Sequence, residues 1–201
     1  MIDCLMLGQT NVGKTLLSLQ LSKHAGNTSP FVVQQLPTGE IRERFFVSTK
    51  EAIKTLVSDR RSTTLGLQTL GASVGTLLSS RLLLRDSTGL CSQAVEDKMV
   101  RLGMARTLEA LVKTDMVLLV VDGSRIQAGY LLDEVDEWAL RFAAMRKIQR
   151  AVVVNKLDLP GVKRMSDGLK KLWRHEQIFA TSALHEQGLG PVFQFLQRKG
   201  E

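Results

Sequence analysis

The chain has few cysteines and aromatics, and no long apolar or basic runs. Its two cysteines, Cys4 and Cys91, are too few for a disulfide framework and lack the spacing of a metal-ligand set. Cys4, inside an apolar run, reads as a small core residue. Aromatics make up 5% of the residues, and none interleave with basic side chains in the way that marks a base-stacking surface. No apolar run approaches the roughly 20 residues that span a bilayer as a helix. The Met1 start leads within a few residues into the first motif, which leaves no room for a signal peptide and makes a cytoplasmic location the expectation. There is no internal repeat, no low-complexity segment and no Lys/Arg block. Even so, 27 Lys+Arg against 20 Asp+Glu give a net charge of +7. That excess fits a basic solvated surface equally with contact to RNA, a ribosome or an anionic membrane surface.

The sequence does contain a regular alternation of buried-strand and helix patterns. With 201 residues and 44% hydrophobic content, the chain is expected to form one domain, 1–201, with a substantial core. Apolar runs at 2–7, 82–84, 116–121 and 151–154 read as strands. Stripes at helical spacing follow them at 14–25, 96–113, 131–142 and 162–173, and a further strand near 177–180 precedes a last helix over 189–198. Trp138, within the 131–142 stripe, is expected in the core. This order predicts an α/β domain with helices on both faces of a mostly parallel sheet. One region departs from it: 31–36 and 41–47 read as a β-hairpin. Ser48 to Glu51 has the spacing of a capping box that opens a short helix. Together they form an insert over about 31–59.

Four motifs fall at strand ends, the edge where open parallel sheets place ligands. Gly8-Gln9-Thr10-Asn11-Val12-Gly13-Lys14-Thr15 spells G-x-x-x-x-G-K-[ST] between a strand and a helix. Its glycines let successive N–H groups turn inward around phosphates, Lys14 would reach the β- and γ-phosphates, and the Thr15 hydroxyl would ligate Mg²⁺. Asp86-Ser87-Thr88-Gly89 is D-x-x-G: Asp86 would hold Mg²⁺ through a water, and the Gly89 N–H would bond the γ-phosphate. Asn155-Lys156-Leu157-Asp158 is N-K-x-D. Asp158 accepts both N1–H and the 2-amino group of guanine, whereas adenine would leave that buried carboxylate unpaired. Asn155 would tie base to phosphate loop, and the Lys156 stem would cover the ring. In Thr181-Ser182-Ala183, the Ala183 N–H would meet guanine O6.

These residues resemble the translation-factor-class (TRAFAC) GTPases of the Era/TrmE/EngA type, over nearly all of the chain except the insert. The most specific part is Asp86 to Leu90, Glu96-Asp97, Val100 to Met104 and Asp115 to Asp122, which is similar to the segment after D-x-x-G in TrmE. The resemblance implies a three-layer P-loop NTPase fold (a Ras-like G domain) that binds GTP and GDP and hydrolyses GTP as a Mg²⁺-dependent conformational switch. It also implies that turnover is slow without a partner, a protein effector or a second copy. A GTP-dependent interaction module with little hydrolysis is the alternative; the insert would be its partner-binding or dimerising surface, and reads equally as a surface decoration. Leu90 stands where Ras-like proteins carry a water-orienting glutamine. Asn11 matches the asparagine that helps relatives hold K⁺, which implies K⁺-stimulated hydrolysis. The switch threonine that closes on Mg²⁺ falls at Thr64, with Thr63 and Thr69 as competitors. The glutamate that assists TrmE falls near Val100, so its role is vacant or passes to Glu96 or Asp97.

Overall fold

The structure, a computed structural model, describes residues 2–57, 66–74, 80–92, 95–127 and 132–198. Among these residues eight strands form one sheet: β1 Ile2–Leu7, β2 Phe31–Gln35, β3 Ile41–Phe45, β4 Leu67–Val74, β5 Ser80–Asp86, β6 Met116–Asp122, β7 Gln149–Asn155 and β8 Ile178–Ala180. Their order is β3-β2-β4-β5-β1-β6-β7-β8. From β5 to β8 every pairing is parallel, and β4, β2 and β3 join antiparallel at one side. β1 and β6 lie inside the sheet, and Cys4 to Leu7 and Met116 to Val121 are buried as continuous apolar runs, the pattern of strands covered on both faces.

Among the described residues seven helices accompany the strands: α1 Lys14–His24, α2 Thr49–Leu56, α3 Lys98–Lys113, α4 Gly123–Gln127, α5 Glu134–Met145, α6 Val162–Leu172 and α7 Leu189–Gln197. Two apolar clusters divide the molecule. One joins Leu17, Leu19 and Leu21 of α1 to Ala52 and Leu56 of α2 and to Val192 and Phe195 of α7. The other joins Leu111 of α3, Ala139 and Ala143 of α5 and Val162 and Leu169 of α6. The sheet therefore lies between two helical layers, as the alternation predicts. α1 has six consecutive buried residues, Leu17 to Ser22, because α2 and α7 pack beside it. A helix enclosed in this way needs no polar outer stripe.

The insert extends the sheet at its edge. β2 pairs with β4 in register Val32↔Leu70, and β3 pairs with β2 so that Phe31 faces Phe45, their rings stacked at 4.3 Å. Ser48 caps α2 by accepting from the Glu51 N–H at 3.2 Å. The Glu51 carboxylate reaches back to the Val47 N–H at 2.9 Å, one residue before the partner a strict capping box would use. At the joint with β4, Gly66 has φ +119°, and a Cβ there would lie 2.2 Å from the Gln35 carbonyl oxygen, so only glycine fits.

Two helical expectations need correction. Trp138 is 48% exposed and stacks on Phe142 at 5.4 Å instead of entering the core. The buried positions of α5 are Asp136, Ala139, Leu140 and Ala143, so the helix turns a face of mostly smaller residues to the sheet. α3 does the same. It buries Gly103, Thr107, Ala110 and Leu111, while Leu108 is partly exposed. A Cβ at Gly103 would meet Thr88 Oγ1 at 2.5 Å, so close packing on the D-x-x-G segment selects the face.

Candidate functional site

The four motifs converge at the carboxyl ends of β1, β5, β7 and β8. The loop after β1 holds Gly8 at φ +130°, Asn11 at +64° and Gly13 at +95°. A Cβ at Gly8 would sit 2.1 Å from the Val120 carbonyl oxygen, and one at Gly13 would sit 2.4 Å from Asn155 Nδ2. Both glycines are required by the closeness of β6 and β7, and the left-handed turns curl the loop over α1. Asn11 is exposed and Val12 is buried in the core. Lys14 is buried, and its ammonium donates to the Gly8 and Gln9 carbonyls at 2.8 and 2.7 Å. Burial pushes it down to about 8, against the pull of Asp86 and Asp136.

The two predicted Mg²⁺ ligands with described positions meet: the Thr15 hydroxyl donates to Asp86 Oδ2 at 2.6 Å, and Asp86 is fully buried. Hard oxygen donors of this kind suit Mg²⁺. The middle of Asp86-Ser87-Thr88-Gly89 also has defined partners. Ser87 Oγ donates to the Met6 carbonyl at 2.6 Å, and Thr88 Oγ1 accepts the Gly66 N–H at 2.7 Å. The Thr88 N–H in turn donates to the Gly66 carbonyl at 3.1 Å. Gly89 lies against the phosphate loop, where a Cβ would be 2.5 Å from the Thr10 nitrogen. Leu90 is 1% exposed and belongs to the core cluster under α3 and α5. Asp97 caps α3, accepting the Met99 N–H at 2.7 Å, and Glu96 is exposed. Thr69 lies within β4. Thr63 and Thr64 lie outside the described residues.

On the base side, side chains join one loop to another. Asn155 Nδ2 donates to the Val12 carbonyl at 2.9 Å, while its Oδ1 accepts the Thr181 hydroxyl at 3.2 Å and the Ala183 N–H at 3.0 Å. The Ala183 N–H expected to meet guanine O6 is thus engaged by Asn155, and a base would have to share it. Ser182 donates its hydroxyl to Asp158 and accepts the His185 N–H at 3.2 Å, which orients the carboxylate. Asp158 is exposed rather than buried.

Sequence reasoning missed one partner. Lys156, at φ +68°, places its ammonium 2.6 Å from Asp122 Oδ2 at the end of β6. Burial alone would raise the Asp122 carboxyl, but hydrogen bonds from Lys156 and Ser124 outweigh it and hold the group below its ordinary value. The signal was an aspartate closing an apolar strand. Its pairing depends on β6 and β7 being neighbours, which no local pattern states. A second unforeseen group is Asp136, 3% exposed on α5. Burial and then Asp133 raise it to about 6, while Lys14 opposes the shift.

Residues 3–156 match the family profile described as 50S ribosome-binding GTPase. The chain belongs to this family. Among curated members of similar sequence, the tRNA modification GTPase MnmE of Geobacillus kaustophilus is 34% identical over 108 residues, 54% of this chain and 21% of that protein. The MnmE of Ligilactobacillus salivarius is 32% identical over the same length. The chain therefore spans about a fifth of the length of the curated relatives it matches. Among solved structures, Era from Aquifex aeolicus bound to GDP·AlF4⁻ superposes with a TM-score of 0.65 at 19% identity, over 99% of this chain and 57% of that one. The FeoB G-domain from Methanococcus jannaschii gives 0.56 at 13% identity over 98% of both chains. These likenesses show the fold of a P-loop G domain.

Proposed function

We propose that the protein binds GTP and hydrolyses it to GDP and phosphate, changing conformation as the γ-phosphate leaves. The observation that carries this reading is the Asn155 bond to the Val12 carbonyl at 2.9 Å. It fixes the N-K-x-D loop against the phosphate loop, so a guanine on Asp158 would have its phosphates delivered to Lys14. Asp158 and Ser182 select the base, and Asn155 sets its distance from the phosphate loop. Lys14 leaves the Gly8 and Gln9 carbonyls for the phosphates. Thr15 and Asp86 would hold Mg²⁺, with Thr64 closing on it from the switch segment. The metal, when bound, neutralises charge on the β- and γ-phosphates. Gly89, packed against Thr10 of the phosphate loop, would report the γ-phosphate through its N–H. Asn11, exposed in the loop, would help hold K⁺, which would supply the positive charge that an arginine finger gives elsewhere. If hydrolysis ran equally fast in K⁺ and Na⁺ buffers, with Asn11→Ala no slower, the cation role would be withdrawn.

A second reading, a GTP-dependent interaction module with little hydrolysis, is favoured by two placements. Leu90 is locked in the core and Asp97 is committed to capping α3, so neither orients a water. Partner candidates are a protein effector, a second copy, or RNA, the ribosome or an anionic membrane surface, with which the net charge of +7 is compatible. An Era structure contains MgGDPNP together with nucleotides of 16S ribosomal RNA. Single-turnover hydrolysis of GTP separates the readings. Turnover that accelerates with a partner or at high protein concentration supports the switch, and turnover at the uncatalysed rate under every condition supports the module.

A further inference from the structure

α6 carries a feature that nucleotide binding does not use. Over 163–174 the sequence places five Lys or Arg against one Asp. Val162, Ser166 and Leu169 of this helix are buried, and Trp173 packs on the core beside them. Lys163, Arg164, Gly168, Lys170 and Lys171 all lie on the exposed side. Asp167, the single acid, is 3.6 Å from Lys170. Between them runs a groove of about 570 Å³ lined by Gly161, Lys163, Arg164, Asp167, Gly168 and Lys171.

Gly168 is the unusual member. A glycine inside a helix is destabilising relative to alanine, and packing does not demand it here, since a Cβ at Gly168 would meet nothing within 4 Å. A bare backbone on the floor of a cationic groove suits the close approach of an anionic chain. The cation pairs 163/164 and 170/171 are two helical turns apart, about 10 Å, which suits successive groups on a polyanion better than one small anion. The described apolar side chains of α6 turn inward, so the face lacks the wedge with which an amphipathic helix enters a membrane. Its one large aromatic, Trp173, is inward too, so nothing on the outward face stacks unpaired bases.

We propose that the outer face of α6 is a docking surface for the phosphate backbone of a nucleic-acid duplex, with Lys163, Arg164, Lys170 and Lys171 contacting phosphates and Gly168 admitting the strand. This stands apart from the guanine site: either can fail alone.

The test is fluorescence anisotropy on the full chain with a labelled RNA duplex, a DNA duplex of the same sequence and phosphatidylserine-containing vesicles, across a salt series. The two duplexes distinguish RNA from DNA as the source of the backbone. Lys163→Glu with Lys171→Glu is expected to weaken duplex binding by at least about tenfold near 0.1 M salt and to flatten the log–log salt slope by about 2. Lys163→Gln with Lys171→Gln gives the same loss without reversing charge, and serves if the reversed pair folds poorly. Gly168→Ala is expected to raise the melting temperature while weakening duplex binding several-fold, opposite signs that a purely structural glycine would not give. Guanine-nucleotide affinity is unchanged in all three. Duplex affinity that is insensitive to these substitutions, or binding to vesicles with none to either duplex, overturns the proposal.

Discussion

The two halves of the nucleotide cleft are built on different terms. On the base side, residues from β7, β8 and the phosphate loop bond to one another through side chains placed where a bound guanine would also need them. Asn155 spans three loops, Ser182 orients Asp158, and Lys156 is fixed on Asp122. On the phosphate side, the groups that would meet ligand satisfy one another instead. Lys14 donates to its own loop and Thr15 donates to Asp86. The first half is tied together across its loops in advance, and a base would there share the Ala183 N–H with Asn155 and the Asp158 carboxylate with Ser182. On the proposed reading the second would exchange these internal bonds for phosphate and metal, and loss of the γ-phosphate would there be converted into movement.

The largest effects should separate the halves most clearly. Lys14→Ala removes the buried cation of the phosphate side and should weaken GDP and GTP about a hundredfold or more, measured by fluorescent-nucleotide titration, while leaving the preference for guanine intact. Asp158→Asn should do the reverse, shifting preference from GTP toward XTP by a comparable factor with the phosphate contacts unharmed. An unchanged GTP-over-XTP ratio would remove Asp158 from base recognition. Next comes Asn155→Ala, which leaves the Val12 carbonyl and the Ala183 N–H without their side-chain partner. A loss of about 2 kcal/mol or more in stability is expected even without nucleotide, read from denaturant unfolding, because the base side is assembled in advance.

Smaller effects probe the phosphate side. Thr88→Val severs the hydroxyl bonds to Gly66 and should cost about 1 kcal/mol in stability. It should slow hydrolysis while GDP affinity stays within a few-fold, since Thr88 ties Gly66, just before β4, to the turn that carries Gly89. Asp136→Asn should have the smallest effect, and one that depends on pH. The folded-state carboxyl titrates at about 6, above its ordinary 3.8. The folded protein thus binds more protons than the unfolded chain in that window, and the charged form lowers stability as pH rises through it. The asparagine variant should match the parent near pH 4 and exceed it by on the order of 1 to 2 kcal/mol at pH 7. Equal pH profiles would mean that burial does not raise the Asp136 carboxyl.

What the sequence made legible follows the same division. Short-range chemistry was readable: glycines at fixed offsets, a lysine opening α1, carboxylates at strand ends and the Ser48 cap all depend on neighbours within a few residues. The order of strands and helices followed from periodicity, because continuous apolar runs are what a sheet covered on both faces requires. Features set by distant neighbours were not readable. Trp138 fits a helical stripe, yet α5 turns Ala139 and Ala143 inward because the sheet is close. α3 buries Gly103 for the sake of Thr88. Asp122 pairs with Lys156 only because β6 adjoins β7. Asp158 was expected to be buried and is exposed at the open end of the loop after β7.

The division between the halves is tested most directly by hydrogen exchange of the backbone amides with and without GTP and Mg²⁺. If the base side is assembled in advance, peptides covering 155–158 and 181–183 exchange slowly in the nucleotide-free protein and change little on binding, whereas those covering 8–15 and 86–90 slow strongly. Fast exchange in all of these peptides without nucleotide, followed by equal protection on binding, would contradict it.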